Sequence, residues 1–351
     1  TCVMKRFYLL IMLIPLLAAY SCKNEAGNKF PRAEMGDRAM FDSVYRDVAK
    51  VATNELHGIV VVKDKKVIYE NWYHNYTPDH LHVMWSASKT FTATAVGFAI
   101  QDGLMTISDK VIDYFTSEEL PSEPSEYLKK MTVYDLMIMS SGFKDDHLGR
   151  SDSGEDFNWA KATLASEIIF EPGTRFAYNS MNTYLLSVIV SRVTGKRLDD
   201  YLNEKLFTPL GITEYTWTPS PQNYSAGGWG LYITTEDFAK MGVFMMDKGV
   251  WNGKRLLDEN WFEEGMSAQI MQYAGQDLSE EEIAVLKQDE WNHGYGYQMW
   301  ISSDGAPRLD GAGGQICVIY PEKNLVIAVH CHTNDTMGLL KSIRTRIASQ
   351  F

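Results

Sequence analysis

A chain of 351 residues, 45% hydrophobic and 22% charged, is long and apolar enough to bury a large core, which excludes a disordered or low-complexity protein. Its formal net charge of −12 argues against a nucleic-acid partner and leaves small-molecule substrates open. Length alone admits one or two domains, and no internal repeat divides the chain.

Residues 1–22 read as a leader and not as part of the fold. Lys5 and Arg6 form a positive start, and Phe7 to Ala19 is an apolar run too short for a comfortable membrane span. Ala19-Tyr20-Ser21-Cys22 follows. A small residue directly before a cysteine, after such a run, resembles a bacterial lipoprotein signal, with Cys22 lipidated as the first mature residue. Ala19 stands where leucine is usual, and plain secretion is the alternative. The expectation is an exported protein of the periplasm or cell envelope, touching a membrane only through a lipid anchor. Residues 23–40 read as a tether, and residues 41–351 as the folded domain.

Met40 to Ala52 has the apolar spacing of a helix (Phe41, Val44, Tyr45, Val48, Ala49). His57–Val62 and Val67–Trp72 are β-rich runs around Asp64-Lys65-Lys66, which predicts a hairpin. Ser86 to Ile100 reads as a buried helix stopped by Gln101-Asp102-Gly103. Its head carries Ser86-Ala87-Ser88-Lys89. A serine and a lysine three residues apart share one helix face. The free N–H groups of a first turn also favour negative charge nearby. A serine hydroxyl is a weak nucleophile, and a neighbouring amine is what activates it. The tetrad is weak evidence by itself, because Ser141-Gly142-Phe143-Lys144 repeats it on a turn signal.

Residues from about 104 to 290 read as mostly helix and loop. Met131–Met139 ends at Ser140-Ser141-Gly142. Asn182–Val193 is stopped by Gly195, and Leu198–Phe207 by Pro209-Leu210-Gly211. Thr235–Lys248 starts from a Thr-Thr-Glu-Asp cap. The acidic stretch 263–292 contains a helix start at Ser279 and is either a lid or a surface excursion. Arg175-Phe176-Ala177-Tyr178-Asn179-Ser180 lies between a Pro-Gly turn and an apolar helix, a place that presents a tyrosine hydroxyl at a helix head. Tyr69-Glu70-Asn71 and Tyr73-His74-Asn75 share that pattern and read as strand-surface residues.

Beyond residue 290 the period returns to two. Tyr295–Ile301, Gln315–Tyr320 and Leu325–His332 read as strands, and Gly338–Ser349 as a terminal helix. Asp310-Gly311-Ala312-Gly313-Gly314-Gln315 precedes the middle strand. Glycines there allow close approach to the backbone and free N–H groups for an oxyanion. The predicted architecture is α/β (α+β). A five-stranded antiparallel sheet, two strands from the N-terminal part and three from the C-terminal part, is flanked by terminal helices. A large helical region is inserted between the sheet segments and covers the other face. Cys317 and Cys331 flank the last hairpin, whose register decides whether they face each other; buried free cysteine is the expected fate. No Cys/His cluster has metal-ligand spacing, and His330 and His332 read as structural.

In combination these stretches resemble the class C β-lactamase-like serine hydrolases, a superfamily of penicillin-binding DD-peptidases, carboxylesterases and 6-aminohexanoate-oligomer hydrolases. The resemblance runs from about Ala52 to the C-terminus. It is carried by Trp85-Ser86-Ala87-Ser88-Lys89, by Met131-Thr132-Val133-Tyr134-Asp135-Leu136 with Ser141-Gly142, and by Pro172-Gly173-Thr174-Arg175-Phe176-Ala177-Tyr178. Pro209-Leu210-Gly211-Ile212, Thr235-Glu236-Asp237 and Gly313-Gly314-Gln315 complete it. Two departures matter. The second motif ends in Ser180 in place of asparagine, and the third lacks the usual Lys-Thr-Gly or His-x-Gly. The missing cation counts against a DD-peptidase or β-lactamase and towards the oligomer hydrolase and esterase branch.

The resemblance implies an acyl-enzyme on Ser86, with Lys89 and Tyr178 as the acid/base pair, acting on a small ester, amide or peptide-like substrate. The charge of Lys89 is expected to lower the pKa of Tyr178. Oxyanion donors are expected at the Ser86 N–H and in the Gly313-Gly314-Gln315 segment, Gly314 first and Gln315 second. Ser180 is expected to bond Lys89 or a substrate amide. Trp85, Trp229, Trp291 and Trp300 are candidate lining for an acyl pocket. No metal or organic cofactor is called for, and a non-catalytic ligand sensor on the same fold is the rival of another class.

Overall fold

The computed structural model describes residues 29–34, 38–146 and 157–351. The leader, Cys22 and most of the tether lie outside the described residues. Among those described, no helix is long and apolar enough to cross a membrane.

Alternating β-branched residues build one sheet. Strands β1 (Glu55–Lys63) and β2 (Lys66–Trp72) form the expected hairpin. Its two-residue turn places Asp64 and Lys65 in the left-handed region, φ 49° and 62°, the twist that a tight hairpin favours. Four C-terminal strands join them: β3 (Trp300–Ile301), β4 (Pro307–Gly311), β5 (Gln315–Tyr320) and β6 (Leu325–His332). The order is β2-β1-β6-β5-β4-β3, antiparallel throughout. The two ends of the folded chain therefore meet at β1–β6, paired from Glu55↔His332 to Lys63↔Leu325.

The sheet has six strands where five were expected. The extra strand is Pro307–Gly311, whose proline, charged pair and terminal glycine hide its period. Tyr295–Ile301 is strand only at its last two residues. Gln298 sits at φ 59° in that run and breaks the extended backbone.

Side-chain alternation divides the core into two layers. Ile59, Val61, Ile316, Val318, Ile327 and Val329 face helix α1 (Ala39–Val48) and the terminal helix Thr336–Ser342. Val60, Val62, Cys317, Ile319, Val326 and Ala328 face the inserted helices. These include α2 (Ser88–Gln101), α3 (Ser180–Thr194) and α4 (Thr235–Met246). The register pairs Cys317 with Ala328 and puts Cys331 opposite Leu56. The two thiols thus belong to opposite layers, and both are free and buried.

Two local readings are corrected. Tyr69 is fully buried against Phe41 and donates to Asp42 at 2.6 Å, so it is core and not strand surface. The helix read over Met131–Met139 is shorter, Val133–Met137, held by a reciprocal Thr132–Asp135 cap. Met139, at φ 59°, ends it.

Candidate active site

The Ser86 turn sits where the sheet meets the inserted helices. Ser86 lies on a tight turn, Trp85–Ala87, that feeds directly into α2. The helix thus begins at Ser88, two residues later than the spacing predicts. Trp85 adopts φ 45°, a conformation that a bulky residue keeps only where its surroundings enforce it. The enforcement is visible at Met84. Its N–H donates to Leu231 O at 2.8 Å, and its carbonyl accepts from Ala87 N at 3.1 Å.

Lys89 is 1% exposed. Its ammonium reaches three oxygens: Ser86 Oγ at 3.0 Å, Ser180 Oγ at 3.1 Å and Gly228 O at 2.7 Å. Three N–H donors meet three acceptors, so the buried cation is fully bonded. Burial nevertheless pushes Lys89 down to about 7, against the opposing charge of Asp146. Near neutral pH the amine and the ammonium therefore coexist. In the amine form, Gly228 O still requires an N–H, and the lone pair is free to take the proton of Ser86.

Tyr178 comes from the head of α3. Asn179 caps that helix by accepting from Met181 N at 2.8 Å. The preceding segment is tied down by Ala177 N donating to Met139 O at 2.8 Å. The Tyr178 ring lies 4.9 Å from Lys89 Nζ and stacks on Trp300 at 5.5 Å. Tyr178 is 37% exposed, and Trp85, the residue before Ser86, is 46% exposed. The Tyr178 pKa runs opposite to the expectation. Burial is the largest influence and raises it, contact with Ser86 lowers it, and the charges of Asp310 and Asp146 raise it again. Tyr178 is therefore held as a phenol, a proton donor at neutral pH.

Ser180 opens α3 and is one of the oxygens on Lys89, as its place after Tyr178 suggested; its N–H donates to Asp146 Oδ2 at 3.1 Å. The second tetrad is unrelated. Ser141 Oγ donates to Asn182 Oδ1 at 2.8 Å, and Lys144 pairs with Glu167 at the surface.

Residues 48–350 match the family described as Beta-lactamase. The chain belongs to that family. It is 26% identical over 221 residues to the 6-aminohexanoate-dimer hydrolase of Paenarthrobacter ureafaciens, covering 59% of this chain and 56% of that protein. The match thus spans about half the length of that relative. Among solved structures, a D-stereospecific amidohydrolase from Streptomyces sp. superposes with a TM-score of 0.65 at 17% identity, over 90% of this chain and 99% of that one. The penicillin binding protein of Bacillus halodurans gives 0.63 at 17% identity, over 89% and 99%. At such identities the two structures speak for the fold.

The third motif of this Beta-lactamase-family chain is arranged differently from the expectation. Gly314 N–H donates to Gly311 O at 3.2 Å within the turn, so the first-choice oxyanion donor is already committed. A methyl on Gly314 would meet Leu339 and Thr333, on the terminal-helix side. Gln315 braces the hairpin, with Nε2 donating to Cys331 O at 2.7 Å and to Ala312 O at 3.1 Å. Gly313 O accepts from Thr333 N at 3.0 Å. The glycine pressed against the Ser86 turn is Gly311. A methyl there would stand 2.1 Å from Met84 O and 3.1 Å from Ala87 N. Ala312, the exposed residue that follows, has no acceptor for its N–H among the described residues.

Sequence reasoning missed two contributors. The first is Ala226-Gly227-Gly228-Trp229-Gly230, which supplies Gly228 O. A side chain at Gly228 would strike Ser180 O at 2.7 Å, and one at Gly227 would strike Thr183 O at 2.9 Å. The glycine cluster itself was the available signal. The second is Gln298, buried, which accepts from Thr90 Oγ1 through its carbonyl at 2.8 Å and donates to Met137 O at 2.8 Å. Of the candidate tryptophans, Trp300 stacks on Tyr178, and Trp85 is the exposed residue before Ser86. Trp229 stacks on Trp159, and Trp291 lies under the Arg308 guanidinium.

Proposed function

We propose that the protein is a serine hydrolase that cleaves an ester or amide through an acyl-enzyme on Ser86. The observation that carries this reading is the buried Lys89, bonded to Ser86 Oγ and poised near neutrality. Lys89 as the amine takes the Ser86 proton while Oγ attacks the carbonyl carbon. Tyr178 as a phenol then donates its proton to the departing oxygen or nitrogen, and the Lys89 ammonium restores it. Water repeats the sequence in reverse to release the acid and return the proton to Ser86. The N–H groups of Ser86 and Ala312 are the oxyanion donors on this reading, in place of Gly314.

The substrate class follows from charge. The third motif has Gly311-Ala312-Gly313 where a Lys-Thr-Gly or His-x-Gly would supply a carboxylate-binding cation, and the acidic Asp310 precedes it. The nearby cation, Arg308, is 0% exposed and is used up on Asp310 at 2.9 Å, Ser302 Oγ at 3.1 Å and Glu290 O at 3.2 Å. Nothing in this motif is left to hold a substrate carboxylate, which disfavours penicillins and peptidoglycan stems. An uncharged ester or a short linear amide, entering along Trp85 and Trp300, fits better. The name of the Paenarthrobacter relative, 6-aminohexanoate-dimer hydrolase, supports the linear amide alone, since that dimer carries a terminal carboxylate.

The test offers a p-nitrophenyl ester, a short amide oligomer and a penicillin in parallel, with intact-mass analysis and Ser86→Ala as control. Turnover of ester or amide, abolished in Ser86→Ala, is expected. A stable penicillin adduct without turnover supports a sensor or penicillin-binding role instead.

A further inference from the structure

Three imidazoles outside the proposed catalytic set lead to the Ser86 turn. His57 lies on β1, His82 on the short strand His82–Val83 and His330 on β6. All three are buried. The His82 ring stacks on His330 with centroids 4.4 Å apart and planes at 14°. His57 Nδ1 lies 2.8 Å from His82 Nε2. No group of metal-ligating side chains among the described residues is arranged to hold an ion, so stacking and hydrogen bonding account for the cluster.

The acceptors at its ends determine every proton. Val83 O, 3.0 Å from His82 Nδ1, can only accept, so that nitrogen carries hydrogen. His82 Nε2 is then a lone pair, and His57 Nδ1–H donates to it. At the other end His330 Nε2 lies 3.2 Å from Met84 Sδ. A thioether only accepts, so this nitrogen is the donor, and His330 Nδ1 accepts from Thr235 Oγ1 at 3.0 Å.

Met84 is the residue on which the Ser86 turn is built. Its N–H is bonded to Leu231 O, its carbonyl to Ala87 N and its sulfur to His330, and the same carbonyl lies against Gly311. We propose that the His57–His82–His330 stack is a positioning element for Ser86, acting through Met84, and that it holds only while its imidazoles are neutral. The kinetic consequence rests on the hydrolase reading; the structural consequence does not.

The groups facing the stack are Glu55 on β1, His74, Tyr76 and His80 on the loop after β2, and Thr235 at the head of α4. Only Glu55 favours a proton there. His57 Nε2 has no hydrogen-bond partner and lies 3.5 Å from the Glu55 carboxylate, so a first proton enters at that edge and puts a buried charge beside His82. A second proton has no vacant nitrogen. It must displace the 2.8 Å His57–His82 bond or the Thr235 hydroxyl from His330. Burial, with repulsion among the rings, holds His57 and His330 below the ordinary histidine range, His57 at about 4.

The experiment combines hydrogen exchange of the peptide covering residues 84–90 with steady-state hydrolysis of p-nitrophenyl acetate. The proteins are wild type, His330→Phe, which keeps a ring without a donor, and Met84→Leu, which keeps the volume without a sulfur. Exchange, corrected for its intrinsic pH dependence, is expected to rise at least about fivefold in wild type between pH 7.5 and pH 4, as local opening increases. In both variants it is already raised at pH 7.5. Their kcat falls about tenfold with KM nearly unchanged, as a displaced nucleophile predicts. Wild-type exchange that ignores pH, or variants with unchanged exchange and kcat, overturns the proposal. A wild type inert towards the ester but showing the exchange response sinks the hydrolase reading and leaves the positioning element standing.

Discussion

At the scale of single residues, the proposed chemistry rests on Lys89. A lysine normally titrates at 10.5 and is no base at pH 7, whereas burial brings this one to about 7. The expected pH profile follows. On an ester substrate kcat/KM should rise about tenfold per pH unit below 7, as Lys89 loses its proton, and then level off. Tyr178, raised by burial, should cause no fall before strongly alkaline pH. A flat acid limb would remove Lys89 as the base. Tyr178→Phe should cost roughly 10²–10⁴-fold in rate, measured on the same substrate. The same burial has a thermodynamic cost. The unfolded chain binds the Lys89 proton between pH 7 and 10.5 and the folded one does not, so stability rises with pH through that window and the cost is complete below it. Lys89→Met should therefore abolish turnover yet raise the unfolding free energy at pH 7 by about 1–3 kcal/mol in a denaturant titration, after allowance for the three lost hydrogen bonds.

At the scale of elements, the site is a contact between two backbones. The end of β4 and the Trp85–Ala87 turn approach so closely that only glycine fits at 311. Gly311→Ala should cost about 1–3 kcal/mol through overpacking and should also move Ala312, the proposed oxyanion donor. Ala312→Pro deletes the N–H and is the sharper probe. A loss of roughly 10²–10³-fold in kcat is expected for an oxyanion donor. A rate unchanged by the proline would return the role to another group of the hairpin. The α2 helix belongs to the same contact. It buries every residue from Ser88 to Ala99, so it has no polar face to orient it, and its placement comes from what surrounds it.

At the scale of the whole molecule, two core layers share one sheet, and the histidine stack joins β1, β6 and the head of α4. Its acid sensitivity is global as well as local. His57, depressed from 6.5 to about 4, binds a proton more readily when the chain is unfolded. Its contribution to stability is therefore complete above pH 6.5 and is lost as pH falls towards 4, by up to about 3 kcal/mol. Melting curves of wild type against His57→Gln across that interval should converge at acid pH; parallel curves would exonerate the histidine. Reductant should leave the melting temperature unchanged, because Cys317 and Cys331 lie in different layers. The lipid anchor proposed at Cys22 makes a separate prediction. Cys22→Ser should release the protein from the membrane fraction of a bacterial host, whereas plain secretion leaves the fractionation unaltered.

Local chemistry determined what could be read from the chain alone. The near-continuous apolar runs of β1, β5 and β6 reflect a sheet covered on both sides, and Gly195 and Gly211 stop helices because they reach left-handed angles, φ 68° at each. Ser86 with Lys89, and Tyr178 with Ser180, stood out as candidates because each pair lies within three residues at the head of a helix; that the two pairs meet, through Lys89 Nζ and Ser180 Oγ, was left to the fold. Tertiary structure decided the rest. Strand β4 was hidden because its Arg308–Asp310 pair is buried, and charge in a sequence signals surface unless a partner two residues away removes the cost. The choice among Gly311, Gly313 and Gly314 depended on which one meets Met84 O across the fold. The direction of the Tyr178 shift was misread because sequence shows a neighbouring cation but not the burial that outweighs it. The third oxygen on Lys89, Gly228 O, comes from 139 residues away. A backbone carbonyl has no signature of its own, since every residue carries one, and only the folded chain selects which of them faces the ammonium.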